Sequence, residues 1–403
     1  MMNHKKQINR LITLPLILTA LLFSVSACSN PSAVNTNKDL SEYKEGQASV
    51  DASIANMEKP TFATKAVTTF NEPWAMTALP TVNSKAAKLL VTQKTGELLI
   101  VDTATGTKTT VSGIPKVAYG GQGGLGDIIL APDFSTSNNI YLSYVEAGKG
   151  ADSNKFGAKV IKATLTGSDT DRPSLQAMTP IWEQFPKVKG QGHYSHRLLF
   201  SPDGQYLYIS SGERQEKTPA QDMSVNLGKI IRLNPDGSVP ADNPFMNTNN
   251  DIADQFWTTG HRNVLGMAFD DKGRRWAHEM GPRGGDECNL IEKGKNYGWP
   301  VVSNGRNYSG TDIPDHDTRP DFAAPKISWT PVISPSSISI YKAGKYNDFP
   351  AWQGNALISG LSSKALIVVN FDKNKGAAER YRYDMGERIR GVVNVDGQVW
   401  LLE

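Results

Sequence analysis

Apolar residues recur along this chain in short runs, and six of these runs open the same way. A Gly or Asn turn is followed at once by strand-length apolar or alternating residues: "TGELLIVD" from residue 95, "NNIYLSYV" from 138, "DGQYLYIS" from 203, "KGRRWAHE" from 272, "QGNALISG" from 353 and "DGQVWLLE" from 396. A tight turn that feeds side chains of period two predicts one strand of an antiparallel sheet. The starts lie 43 to 81 residues apart, which suits sheets joined by loops of unequal length and argues against a tight solenoid. No long stretch carries helical periodicity, and Gly and Pro are scattered throughout. The pattern predicts an all-β, six-bladed β-propeller in which each stretch is the turn and inner strand of one blade. Function is expected in the long loops around the central channel.

The first residues break this pattern. Lys5, Lys6 and Arg10 precede an apolar run from Leu11 to Phe23, and small residues lead to Cys28. This is the layout of an export signal. Val25-Ser26-Ala27-Cys28 resembles a bacterial lipobox, in which the cysteine thiol is diacylated and the chain is cut before it. The apolar run falls short of the roughly 20 residues that span a bilayer. The expected division is a lipoprotein signal peptide over 1–27, a polar flexible tether over 28–60 and the propeller over 61–403. Cys28 then anchors the domain, and Ser29 after it favours the periplasmic side of the outer membrane. The membrane is met through the lipid alone.

Charge narrows the partners. The chain holds 43 Lys and Arg against 40 Asp and Glu. Without Lys5, Lys6 and Arg10 the two signs balance, so nucleic acid, which demands a basic surface, is excluded. Cys288 is the only cysteine besides Cys28. No disulfide is expected, and with no Cys-x-x-Cys-His no attached haem.

Two motifs invite chemistry. "GQGGLG" at 121–126 satisfies a dinucleotide fingerprint, but an apolar strand stopped by Pro132 follows it where a helix would be needed to receive a pyrophosphate. The glycines are better suited to letting backbone pass close to a ligand. His193 and His196 stand three apart in "GHYSHRLLF". The pair suggests zinc, a catalytic base or a polar loop. No Cys or third His lies nearby in sequence, so His196, like His261, is expected to be a solvated or hydrogen-bonded loop residue.

Several loops together, "YGGQGGLGDIILAPDF", "GHYSHRLLFSPDG", "TTGHRNVLGMAF", "EMGPRGGDECNLIEKGKNYGWP" and "GERIRGVV", resemble in order the soluble aldose sugar dehydrogenases of the glucose/sorbosone dehydrogenase family, which use pyrroloquinoline quinone (PQQ). The resemblance implies a six-bladed propeller that oxidises aldose sugars at the anomeric carbon to lactones, passing electrons to an external acceptor. It makes His193 the general base and Glu213 the carboxylate that orients it. PQQ contacts fall on Gln122, Arg262, Asn263, Arg388 and Arg390. Of these, Arg388 and Arg390 stand two apart in a predicted strand and so point to one side. It further implies two Ca²⁺ ions, one at the backbone carbonyls of Gly281 and Pro282, the other at the Glu287 carboxylate and the Tyr297 backbone oxygen. Turn capping is the alternative for Asp286 and Glu287. Met280 stands where the family commonly has Gln or His. Ser362 stands where it has a lysine that contacts the quinone, with Lys364 two residues on. These departures leave an alternative: a catalytically inactive propeller that binds a saccharide or protein partner.

Overall fold

The computed structural model describes residues 9–13, 58–80, 86–246, 249–372 and 374–403. Six four-stranded antiparallel sheets stand around a central channel. The innermost strands are Pro73–Ala78, Leu125–Leu130, Ser195–Phe200, Val264–Phe269, Pro335–Ile340 and Gly391–Val395. Three consecutive residues from each, centred on Met76, Ile128, Leu198, Gly266, Ile338 and Val392, line a 190 Å³ cavity in the channel. The predicted propeller is present, with one correction to its repeats. Five of the six turn-opened runs form the second strand of their blade, and "TGELLIVD" forms the third, Glu97–Asp102. None is innermost.

The reason those runs are apolar on consecutive positions is visible in the first blade. Leu98 and Ile100 pack into a core shared with the second blade, while Leu99 and Val101 pack into one shared with the sixth. Successive strand side chains point to opposite faces, and here both faces are covered by neighbouring blades. Each such side chain withdrawn from water contributes about 1.5–3 kcal/mol.

The sixth blade is built from both parts of the chain. Outside Gly391–Val395 and Gln398–Leu402 lies Asn9–Thr13, and outside that Lys65–Phe70. Leu11 pairs with Leu402, and Thr68 pairs with Leu11 on the other side. Leu11 packs between the sixth and first blades, and Ile12 between the sixth and fifth. The predicted export signal thus contributes a strand in this structure. Cys28 and most of the expected tether lie outside the described residues.

One buried side chain ties the inner strands of the blades to one another. Arg197 of the third blade donates to Asp127 Oδ1 at 3.1 Å, to Leu265 O at 2.7 Å and to Ser336 O at 2.6 Å, and its guanidinium carbon lies 3.9 Å from the Trp74 ring centroid. It thereby contacts the first, second, fourth and fifth blades. Breaking such a buried pair from one side costs about 3–5 kcal/mol.

Candidate active site

In an antiparallel blade the start of the innermost strand and the end of the second strand meet on one face. On that face lies a 260 Å³ pocket, lined in part by the Trp74 ring against which Arg197 packs. Trp74 reaches it from the start of an innermost strand, Gln122, Asn263, Ser334 and Arg390 from just before innermost strands, and Lys94 and Met280 from just after second strands. A second cavity of 840 Å³, which includes His193, Arg262 and Pro282, adjoins it. Gln122, Met280 and Ser334 belong to both.

The smaller pocket is cationic. Lys94, Arg388 and Arg390 line it, and no carboxylate does. Glu72 lies 3.9 Å from Lys94. Burial, then the neighbouring Arg197 and Arg388 charges, push Arg390 down to about 10. Burial lowers Lys94 as well, partly offset by Glu72. Such a cluster of cations is stabilised by an anion. Trp74 supplies an apolar wall: it stacks on His196, with centroids 4.9 Å apart. Arg388 and Arg390 do point the same way as expected, but from the loop before the sixth blade rather than from a strand, with the buried Ile389 between them.

His193 lies in the adjoining cavity. Its backbone N–H donates to Gln122 Oε1 at 2.7 Å, and its Nδ1 bonds Glu213 Oε1. Since a carboxylate can only accept, Nδ1 carries the proton and Nε2 is left with its lone pair. Burial holds the ring below its ordinary pKa of 6.5, against the opposing pull of Glu213. The other Glu213 oxygen accepts from the Lys217 amide. His193, Ser195 and His196 all adopt left-handed backbone, at φ 47°, 57° and 52°. A residue in that region is kept there only by its surroundings. Arg214 is one such support: it donates to Gly192 O, Phe156 O and Gly190 O at 2.6–2.8 Å and stacks on Tyr194.

His196 and His261 are hydrogen-bonded as expected but not solvated. His196 is buried against Trp74 and bonds Ser143 Oγ at 2.8 Å, and burial pushes it down to about 3. Gly126 makes room for it, since a Cβ there would lie 2.0 Å from His196 Cε1. The glycine run before it leads into strand Leu125–Leu130, not a helix. His261 is fully buried between Thr258 Oγ1 and Glu279 Oε1, at 2.8 and 2.9 Å.

Glu279, which the sequence motifs did not single out, also accepts from the Arg262 amide at 2.7 Å. Together these contacts fix the turn that sends Arg262 into the larger cavity and Asn263 into the smaller pocket. Arg262 Nη1 reaches Met280 O at 3.0 Å, and its Nε is buried without a partner.

The residues expected to hold metal separate into two places. Gly281 and Pro282 line the larger cavity. Asp286 pins them: one of its oxygens accepts from the Gly281 amide at 2.8 Å, the other from the Ile333 and Ser334 amides. It therefore caps turns, as its alternative reading had it. Glu287 and Tyr297 lie on either side of His316, whose Nε2 is 3.2 Å from Tyr297 O and whose Nδ1 is 4.0 Å from Glu287. Among the described residues no three His, Cys, Asp or Glu side chains gather to hold a metal. Burial and then the Glu279 charge nevertheless push the Glu287 carboxyl well above its ordinary range, and Asn289 Oδ1 beside them has no partner. Oxygen donors with uncompensated negative charge suit a hard cation.

Ser362 and Lys364 line neither cavity: Ser362 bonds Val332 O and Lys364 bonds Gly386 O. The lysine in the pocket is Lys94, from the first blade. Nothing in its local sequence marks it, because it meets Arg390 only when the ring closes.

The fold and site together define a propeller with a cationic pocket beside a histidine-lined cavity. The chain matches the Glucose / Sorbosone dehydrogenase family over residues 70–403 and belongs to it. It is 37% identical to the aldose sugar dehydrogenase YliI of Escherichia coli over 339 residues, covering 82% of this chain and 87% of that one. The crystal structure of the soluble aldose sugar dehydrogenase from Escherichia coli in its apo form superposes with a TM-score of 0.72 at 34% identity, covering 83% of this chain and 96% of that one. The PQQ-bound aldose sugar dehydrogenase from Streptomyces coelicolor does so with a TM-score of 0.64 at 28% identity, covering 83% and 94%.

Proposed function

We propose that this chain is a PQQ- and calcium-dependent dehydrogenase that oxidises aldoses at the anomeric carbon to lactones and delivers the electrons to an external acceptor. The observation that carries the reading is the juxtaposition of a carboxylate-free pocket holding Lys94, Arg388 and Arg390 with a cavity lined by His193. PQQ bears three carboxylates on a flat ring system. The three cations answer the carboxylates, and Trp74 and Met280 offer apolar walls. When bound there, PQQ supplies the acceptor for the anomeric hydride.

The chain's own part is to bind the sugar, position it and take a proton. His193 Nε2 accepts the proton of the anomeric hydroxyl, and Glu213 stabilises the imidazolium that results. Arg262 and Gln122 border the same cavity and supply donors to the sugar or cofactor oxygens. Calcium is assigned to the Gly281 and Pro282 carbonyls and to Glu287 with Tyr297. The charge imbalance at Glu287 and the orphaned Asn289 oxygen support the second of these. In the same reading the chain is exported and held by lipid on Cys28 at the periplasmic side of the outer membrane.

Cofactor-free protein is expected to reduce an artificial electron dye with aldoses only when PQQ and Ca²⁺ are both supplied. His193→Ala should lower turnover by about 10²- to 10⁴-fold while its PQQ titration stays close to wild type. Failure of the wild-type chain to take up PQQ in excess calcium would overturn the proposal.

A further inference from the structure

The 840 Å³ cavity is bordered by a short hairpin, residues 303–312, that neither the base nor the cationic pocket uses. The hairpin is anchored where Arg283 and Arg306 exchange backbone hydrogen bonds at 2.9 and 3.0 Å, and it turns at Gly310, where φ is 90°. Near that turn stands Tyr308. It lines the cavity together with His193 and is 74% exposed, the most exposed of the large apolar side chains described. Its hydroxyl makes no hydrogen bond among the described residues. The Arg262 guanidinium lies 6.0 Å from its ring centroid. The hairpin is also tied to the base: Lys217 Nζ donates to Asn307 Oδ1 at 3.1 Å, while the amide of the same lysine donates to Glu213.

A lone exposed tyrosine needs no explanation. One that lines the cavity of a buried histidine, amid arginine donors, does. A pyranose has apolar C–H faces and a rim of hydroxyls, so it is held by a flat apolar surface with donors around it. We propose that Tyr308 is the platform on which the sugar ring stacks, with Arg262 and Arg283 placed for its hydroxyls, so that the site selects aldoses in the pyranose form. This rests on the sugar dehydrogenase reading and adds to it a residue that determines specificity. The Lys217 tie couples the platform to Glu213, and hence to the ring that removes the proton.

The test measures dye-linked kinetics of the PQQ-loaded chain with glucose, together with calorimetric glucose affinity of the same preparation. Tyr308→Ala should raise KM by about 2- to 10-fold, the scale of one aromatic contact, with the loss falling on KM rather than kcat. Tyr308→Phe and Tyr308→Trp should stay near wild type, because the ring and not the hydroxyl is used. An unchanged KM in Tyr308→Ala, or a Phe variant as poor as Ala, overturns the platform. If the wild type turns over no aldose, the dehydrogenase reading fails. The platform is then judged by calorimetry: weaker glucose binding in Tyr308→Ala upholds it, and equal binding in both proteins overturns it.

Discussion

His193 depends on neighbours that pull in opposite directions. Burial lowers its affinity for a proton and Glu213 raises it, with burial the larger effect. The neutral ring therefore persists below pH 6.5, and turnover should fall only as the pH drops through that depressed value. Replacing Glu213 by Gln removes the raising influence. The acid limb of the pH–rate profile should move to lower pH while the maximal rate drops, because the Nδ1 proton is no longer fixed; a limb that stays in place would contradict this. Arg390 poses the complementary case. Its charge is held down by burial beside two like charges, so an anion relieves it, and Arg390→Ala should weaken PQQ binding by about 1.5–3 kcal/mol in a fluorescence titration. Residues such as His193, Arg388 and Arg390 were legible because they sit in compact motifs. Lys94, Trp74 and Glu279 were not, since each acquires its role only through partners far away in sequence.

At the scale of the strand and turn, the runs that announced the fold did so through their turns. A Gly or Asn turn leaves a local signature, whereas innermost strands such as "SHRLLF" and "LGDIIL" are entered from long loops. The turn signature therefore marks the second or third strand of a blade and not the innermost. Outer strands are harder still, as Ser174–Glu183 shows with most of its side chains exposed. The loops that carry the site are held by single buried acids. Asp286 joins the Gly281 turn of the fourth blade to the Ile333–Ser334 turn before the fifth. Asp286→Ala should cost about 1–3 kcal/mol for each amide left unpaired. Thermal unfolding and amide exchange would measure it, and protection at Ile333 and Ser334 should fall before that of the strands.

For the molecule as a whole, closure of the ring draws on residues at opposite ends of the chain. An apolar run after basic residues reads as a leader, and nothing in its pattern distinguishes an export segment from a strand. Asn9–Thr13 is the only described neighbour of Lys65–Phe70, and it covers one edge of Gln398–Leu402. If cleavage before Cys28 follows export, this strand leaves with the leader. The molecule would then carry a gap in its wall, with two rows of unpaired amides facing it. Cys28→Ala, which should block processing, is predicted to retain amide protection over 65–70 and to melt higher than a chain that begins at Cys28. Equal protection in the two proteins would mean that another segment fills the gap. With such cleavage, secretion and ring closure would make competing claims on the same five residues, and the moment of cleavage would set how long the precursor outlasts its product against heat and proteases.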